Sequence, residues 1–278
     1  MTRSYAVGHL QMLPLDPPDF IEAAGRCGYD AVGLRLLPLT AEERLYPITT
    51  DKALLRATQE RLAASNVACA DVEIVRLTPD VEPESYQAFL ETGAALGART
   101  VTTHLPDPET GRAIDKFGRL CAMARPLGLH VGIEFLPWSE VPNLGAAARI
   151  CKAVAADNCG ILVDTLHFHR SASTVAELES LPKSWLRVLH IADCPAETPA
   201  TAEGLMYTAR RERLLPGEGA IDFAPIIAAM PQDIPITLEI PHARRTAEMG
   251  LEAYSRKALD VTRAYVEGLQ MKGRSNVR

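Results

Sequence analysis

Eight short apolar runs alternate with eight longer amphipathic stretches along this chain, and that alternation restricts its fold more than any other feature. The apolar runs are 5–10, 31–37, 67–75, 100–105, 130–136, 160–164, 187–193 and 236–240. Helix-like stretches follow them at 17–28, 51–65, 83–97, 112–127, 143–156, 173–181, 222–230 and 246–269. Runs such as "GILVD" lack the polar alternation of a strand with one wet face. Strands buried on both faces read this way, as in a parallel sheet covered by helices. The first helical stretch, "PPDFIEAAGRCG", opens on proline and closes on glycine, the expected punctuation. Eight such units in 278 residues predict a single-domain (β/α)8 TIM barrel over 1–270, with 271–278 as a frayed, disordered tail. An open doubly wound sheet is the competing arrangement, but no GxGxxG follows the first apolar run.

Composition limits the partners. A net charge of −6 without a basic stripe gains nothing from counterion release, so nucleic acid is not an expected partner. No stretch reaches ~18 continuous apolar residues and the first twenty carry no signal-peptide core, so no membrane span is expected. The six cysteines form no CxxC pair and sit among apolar neighbours, as reduced buried thiols do. A cytoplasmic location with a small-molecule substrate is expected; homo-oligomerisation stays open.

"GIEFLPWSE", 132–140, places Glu134 inside a run that otherwise belongs in a core. An unpartnered buried carboxylate costs several kcal/mol or more. In a barrel, functional groups sit at the C-terminal strand ends. Six of the seven histidines fall within or just after such ends, and only His130 starts a strand. Glu134, Asp164, His190 and Glu239 come from four successive strands, and barrel closure brings them to one rim. Three carboxylates there would repel one another unless a cation intervened. One divalent metal resolves this; three oxygens and one nitrogen favour Mn²⁺ or Mg²⁺ and admit Co²⁺ or Zn²⁺. Each residue has a plainer alternative. Glu134 and Glu239 could pair with rim arginines, Asp164 could cap a helix, and His190 could be a satisfied core histidine. His9, Arg35, Glu73, His104 and His242 could line the pocket, and Trp138 could cover a sugar face or simply pack.

The stretches "GIEFLPWSE", "GILVDTLHFH", "VLHIAD", "RLLPGEGAIDF" and "ITLEIP" resemble the xylose isomerase-like TIM barrel superfamily over nearly the whole chain. That group includes sugar epimerases and isomerases, inosose and dehydroshikimate dehydratases, and AP endonucleases. The resemblance implies that Glu134, Asp164, His190 and Glu239 bind one metal. It also implies that His167, Arg213 and Glu140 touch substrate oxygens, and His104 joins them as a pocket candidate. Arg35 stands where many relatives end strand 2 on Glu. An Asp-x-His after strand 7 and a further strand 3 histidine, needed for three zinc ions, are missing, so a trinuclear site is not expected. The chemistry implied is proton transfer through an enediolate between Glu134 and Glu239, giving isomerisation or epimerisation of a small sugar or keto-polyol. Loss of a β-hydroxyl would instead make the protein a dehydratase of the inosose or 3-dehydroshikimate type. A sugar-binding regulator and a DNA-repair enzyme are the further alternatives. The segment 194–219 is expected to be a long loop able to act as a lid through Met206 and Tyr207.

Overall fold

A computed structural model describes residues 3–40 and 43–275. The eight parallel strands are β1 (Tyr5–Gly8), β2 (Ala31–Arg35), β3 (Ala68–Arg76), β4 (Thr100–His104), β5 (His130–Glu134), β6 (Cys159–Asp164), β7 (Leu186–Ile191) and β8 (Ile236–Leu238). They pair in chain order, and β8 closes on β1 through Tyr5↔Ile236 and Val7↔Leu238. The single-domain (β/α)8 barrel expected from the alternation is therefore present. The helices are α1 (Pro17–Cys27), α2 (Lys52–Ser65), α3 (Gln87–Ala95), α4 (Thr110–Ala124), α5 (Leu144–Val154), α6 (Thr165–Arg170), α7 (Val175–Ser180), α8 (Ala202–Arg211), α9 (Phe223–Ala229), α10 (Ala243–Met249) and α11 (Leu251–Ser275).

Local chemistry sets the helix ends. Asp16 caps α1 by accepting from Asp19 N at 3.0 Å, and α1 stops at Gly28, whose φ of 92° suits glycine. The apolar faces of the helices pack on the outer face of the sheet. Phe20 and Ile21 of α1, Phe117 and Leu120 of α4, and Phe223 of α9 are fully buried there. Inside the barrel the packing is partly polar. Gly33 leaves room for Asp71, since a Cβ at that glycine would lie 2.8 Å from a carboxylate oxygen. Among the described residues, all six cysteines are free and buried, and no helix is long and apolar enough to cross a membrane.

Several boundaries differ from the sequence expectation. The run 194–219 is not a loop throughout: it carries α8. A short helix not expected from the sequence, α6, follows Asp164 directly, ahead of the helix expected at 173–181. The stretch 246–269 belongs to two helices, parted at Gly250, whose φ is 85°. α11 continues to Ser275, while 276–278, the end of the expected frayed tail, lie outside the described residues.

Candidate metal centre and active site

Asp164 closes β6 and caps α6. Its Oδ1 accepts from Leu166 N at 2.8 Å and His167 N at 3.1 Å. Its Oδ2 accepts from Arg213 Nη1 at 2.6 Å. Arg213 Nη2 reaches Glu239 Oε2 at 2.8 Å, just past β8, and its Nε donates to Ala209 O at 2.6 Å. The helix cap and the rim ion pair foreseen as alternatives are thus both made. A carboxylate oxygen has lone pairs to spare, so neither contact bars these groups from a metal. Glu134 ends β5 and is held by His104 of β4, with Nε2 and Oε2 2.6 Å apart. His190 of β7 is buried, and neither ring nitrogen has a hydrogen-bond partner among the described residues.

The fit to a divalent ion is direct. One ligand atom each from Glu134, Asp164, His190 and Glu239 lies within 4.8 Å of every other, and all four residues are buried. Charge enforces the arrangement. Burial alone would raise the Glu134 carboxyl, but His104 brings it below its usual range. Burial likewise opposes Asp164 and Glu239, and Arg213 holds both low. Burial would lower the His190 pKa, yet Glu239, whose Oε2 is 3.6 Å from Nδ1, raises it to about 10.

A cavity of about 280 Å³ opens over this cluster, lined by Glu134, Glu239, His104, His167, Arg213 and the exposed Glu140. His167 is packed edge-on against Trp138, with centroids 5.1 Å apart. Met206 and Arg210 of α8 and Arg35 of β2 also face it. Tyr207 is exposed and absent from the wall.

His9 and His242 do not line the cavity. The His9 ring stacks on Phe20 at 4.3 Å and its Nε2 meets Leu15 O at 2.9 Å, which leaves it behind the wall. His242 packs edge-on to Tyr254. His169, two residues beyond the cavity-lining His167 of α6, is also outside it. Glu73 lies deeper, where its Oε2 accepts from Arg35 Nη2 at 2.9 Å; Arg35 Nη1 is held by Glu43 at 3.1 Å.

Two residues had no role assigned from the sequence. Asp193, in "VLHIAD", accepts four backbone N–H groups, from Cys194, Gly217, Gly219 and Ile221, at 2.8–3.1 Å. It thereby folds the Pro-Gly-x-Gly turn, Pro216 to Gly219, that follows Leu215. A Cβ at Gly219 would lie 2.2 Å from Cys194 O, so that turn demands glycine. The signal in the sequence was an Asp placed directly after the apolar strand in "VLHIAD". Asp71 is the other. It shares a second ligand-distance group with Glu73 and His190.

Comparison with known proteins agrees with this architecture. A sequence model described as "Xylose isomerase-like TIM barrel" matches residues 21–265. The inosose isomerase of Halalkalibacterium halodurans is 32% identical over 113 residues, 40% of this chain and 38% of that protein. The inosose isomerase of Bacillus subtilis is 25% identical over 162 residues, 55% of this chain and 56% of that protein. The chain thus matches about half or less of the length of these curated relatives. A crystal structure described as the IOLI protein with a bound zinc atom superposes with a TM-score of 0.75 at 20% identity, over 94% of this chain and 99% of that one.

Proposed function

We propose that this chain, which belongs to the xylose isomerase-like TIM barrel family, is a divalent-metal-dependent isomerase or epimerase of a small sugar or keto-polyol. The observation that carries the reading is the convergence of Glu134, Asp164, His190 and Glu239 under one cavity. The relatives named inosose isomerase support the substrate class. Those four residues would hold the ion, and their three carboxylates favour Mn²⁺ or Mg²⁺ over Co²⁺ or Zn²⁺. When bound, it would supply Lewis-acid polarisation of a substrate carbonyl and its neighbouring hydroxyl.

The protein's own groups then handle the proton. Glu134 and Glu239 stand at β5 and after β8, on different sides of the barrel mouth, and both are kept ionised by their partners. One takes the proton from the carbon beside the carbonyl, leaving an enediolate, and the other returns it. Return to the opposite face epimerises; return to the neighbouring carbon isomerises. His104 fixes the angle of the Glu134 carboxylate. His167, whose Nδ1 has no hydrogen-bond partner among the described residues, Arg213 and Glu140 would meet substrate oxygens. The apolar wall, including Leu136, Trp138 and Met206, limits water around the reacting carbon.

A Glu239→Gln variant tests the scheme. With Mn²⁺ present it should still bind keto-polyols such as 2-keto-inositol while exchanging substrate C–H for solvent deuterium at least ~10³-fold more slowly. Wild-type exchange in that variant would remove Glu239 from proton transfer. A dehydrated product from the wild type would move the protein to the lyases.

A further inference from the structure

We infer that the substrate of this site carries one acid group, a carboxylate or phosphate, received by Arg76 and Arg210; this builds on the isomerase reading above. Four arginines line the cavity: Arg35, Arg76, Arg210 and Arg213. Two of them are committed. Arg35 spends its guanidinium on Glu73 and Glu43, and Arg213 spends its own on Asp164, Glu239 and Ala209 O. Arg76 and Arg210 make no ion pair and no side-chain hydrogen bond among the described residues, although both face the cavity.

Both come from backbone that is held in place. Tyr86 Oη donates to Arg76 O at 2.8 Å and accepts from Arg76 N at 3.2 Å, clamping the end of β3. α8, which carries Arg210, is tied by Arg170 to Thr208 and by Arg213 Nε to Ala209 O. Arg76 is in register with His104, so it approaches from the Glu134 side. Arg210 lies three residues before Arg213, on the Asp164 side. Among the described residues the one uncommitted carboxylate facing them is Glu140, which leaves an excess of one positive charge in the uncommitted groups of the wall.

A neutral polyol leaves both guanidiniums unpaired, and covering the half-buried Arg210 would cost part of its hydration. A carboxylate or phosphate matches the guanidinium fork and pairs with both through charge-assisted hydrogen bonds. The volume, about 280 Å³, suits a sugar-sized acid or monophosphate and is too small for a nucleotide sugar. The ligand class is therefore a keto- or aldo-polyol with one terminal anionic group.

Calorimetric titration of the Mn²⁺-loaded 278-residue chain tests this with three probes: a uronate such as galacturonate, fructose 6-phosphate, and neutral 2-keto-inositol. The uronate or the phosphate should bind at least tenfold tighter than the neutral probe, and which of the two does so identifies the acid group. That preference should weaken with added NaCl. It should drop at least tenfold in Arg76→Met and Arg210→Met and recover in part in Arg76→Lys. Arg76 is exposed and Arg210 only half-buried, so folding is not at risk. Equal or tighter binding of the neutral probe, or variants that keep the wild-type preference, would overturn the inference. Deuterium exchange, measured separately, reports on the isomerase reading. Exchange without acid preference sinks only the inference, whereas acid preference without exchange on any probe sinks only the isomerase reading.

Discussion

Replacing Arg213 by methionine removes one guanidinium from between two buried carboxylates. Its contacts to Asp164 at 2.6 Å and Glu239 at 2.8 Å are buried on both sides. Breaking such a pair by deleting one partner costs roughly 3–5 kcal/mol, because the remaining charges stay desolvated. For a chain of this size about 2 °C of Tm accompanies each kcal/mol, so Arg213→Met should melt ~6–10 °C below wild type in EDTA. Mn²⁺ should narrow that gap. At ~100 times its Kd, an ion binding only the folded state adds about 2.7 kcal/mol to the wild type. In the variant the ion meets the same carboxylates without a cation beside them, so it should bind more tightly and raise Tm further. Scanning calorimetry with EDTA and with MnCl₂ reads both effects. A loss under 2 °C in EDTA would mean that the buried pairs do not hold the rim together. Equal Mn²⁺ shifts in wild type and variant would mean that guanidinium and ion do not share these carboxylates.

Acid should weaken the fold through His9. Burial lowers its pKa from 6.5 to about 4 in the folded chain. The unfolded chain then takes up a proton below 6.5 that the folded chain refuses, so stability is complete above that pH and falls between 6.5 and 4. The His9 contribution lost by pH 5 is about 2 kcal/mol, and urea midpoints at pH 7.5 and 5 should show that much less acid sensitivity in His9→Phe. Asp193→Ala strips the acceptor from four backbone N–H groups. It should cost about 3–5 kcal/mol and speed amide exchange at Gly217, Gly219 and Ile221; unchanged exchange there would show that the turn folds without Asp193.

The barrel was legible because its strands are buried on both faces, and the amphipathic α1, α4 and α5 repeat their apolar positions at helical spacing. The four candidate ligands stood out because each lies in or at the end of an apolar run. Shorter features were not. α6 spans six residues, Thr165–Arg170, too few to show a period, and it exists because the Asp164 carboxylate caps it. α8 buries only Ala209 fully, so its sequence looks like loop. Glu43 lies far from any strand end, and nothing local ties it to Arg35; that contact follows from the fold alone.

Asp71 explains how so many acids share one barrel. Arg213 serves Asp164 and Glu239, Arg35 serves Glu73, and His104 serves Glu134. Asp71, 1% exposed, has no hydrogen bond on either oxygen among the described residues, and the nearby His190 only partly offsets its burial. Burial, with Glu73 nearby, pushes its pKa up to about 8, so near neutral pH it is largely protonated and adds little negative charge beneath the candidate ligands. The glycine at 33 is what allows a carboxyl to lie there at all, since any Cβ would strike it. The barrel interior therefore separates its acids by partner: the hydrogen-bonded Glu134, Asp164 and Glu239 are held below the usual carboxylate range, while burial outweighs Arg35 at Glu73 and raises Asp71, which has no hydrogen bond among the described residues.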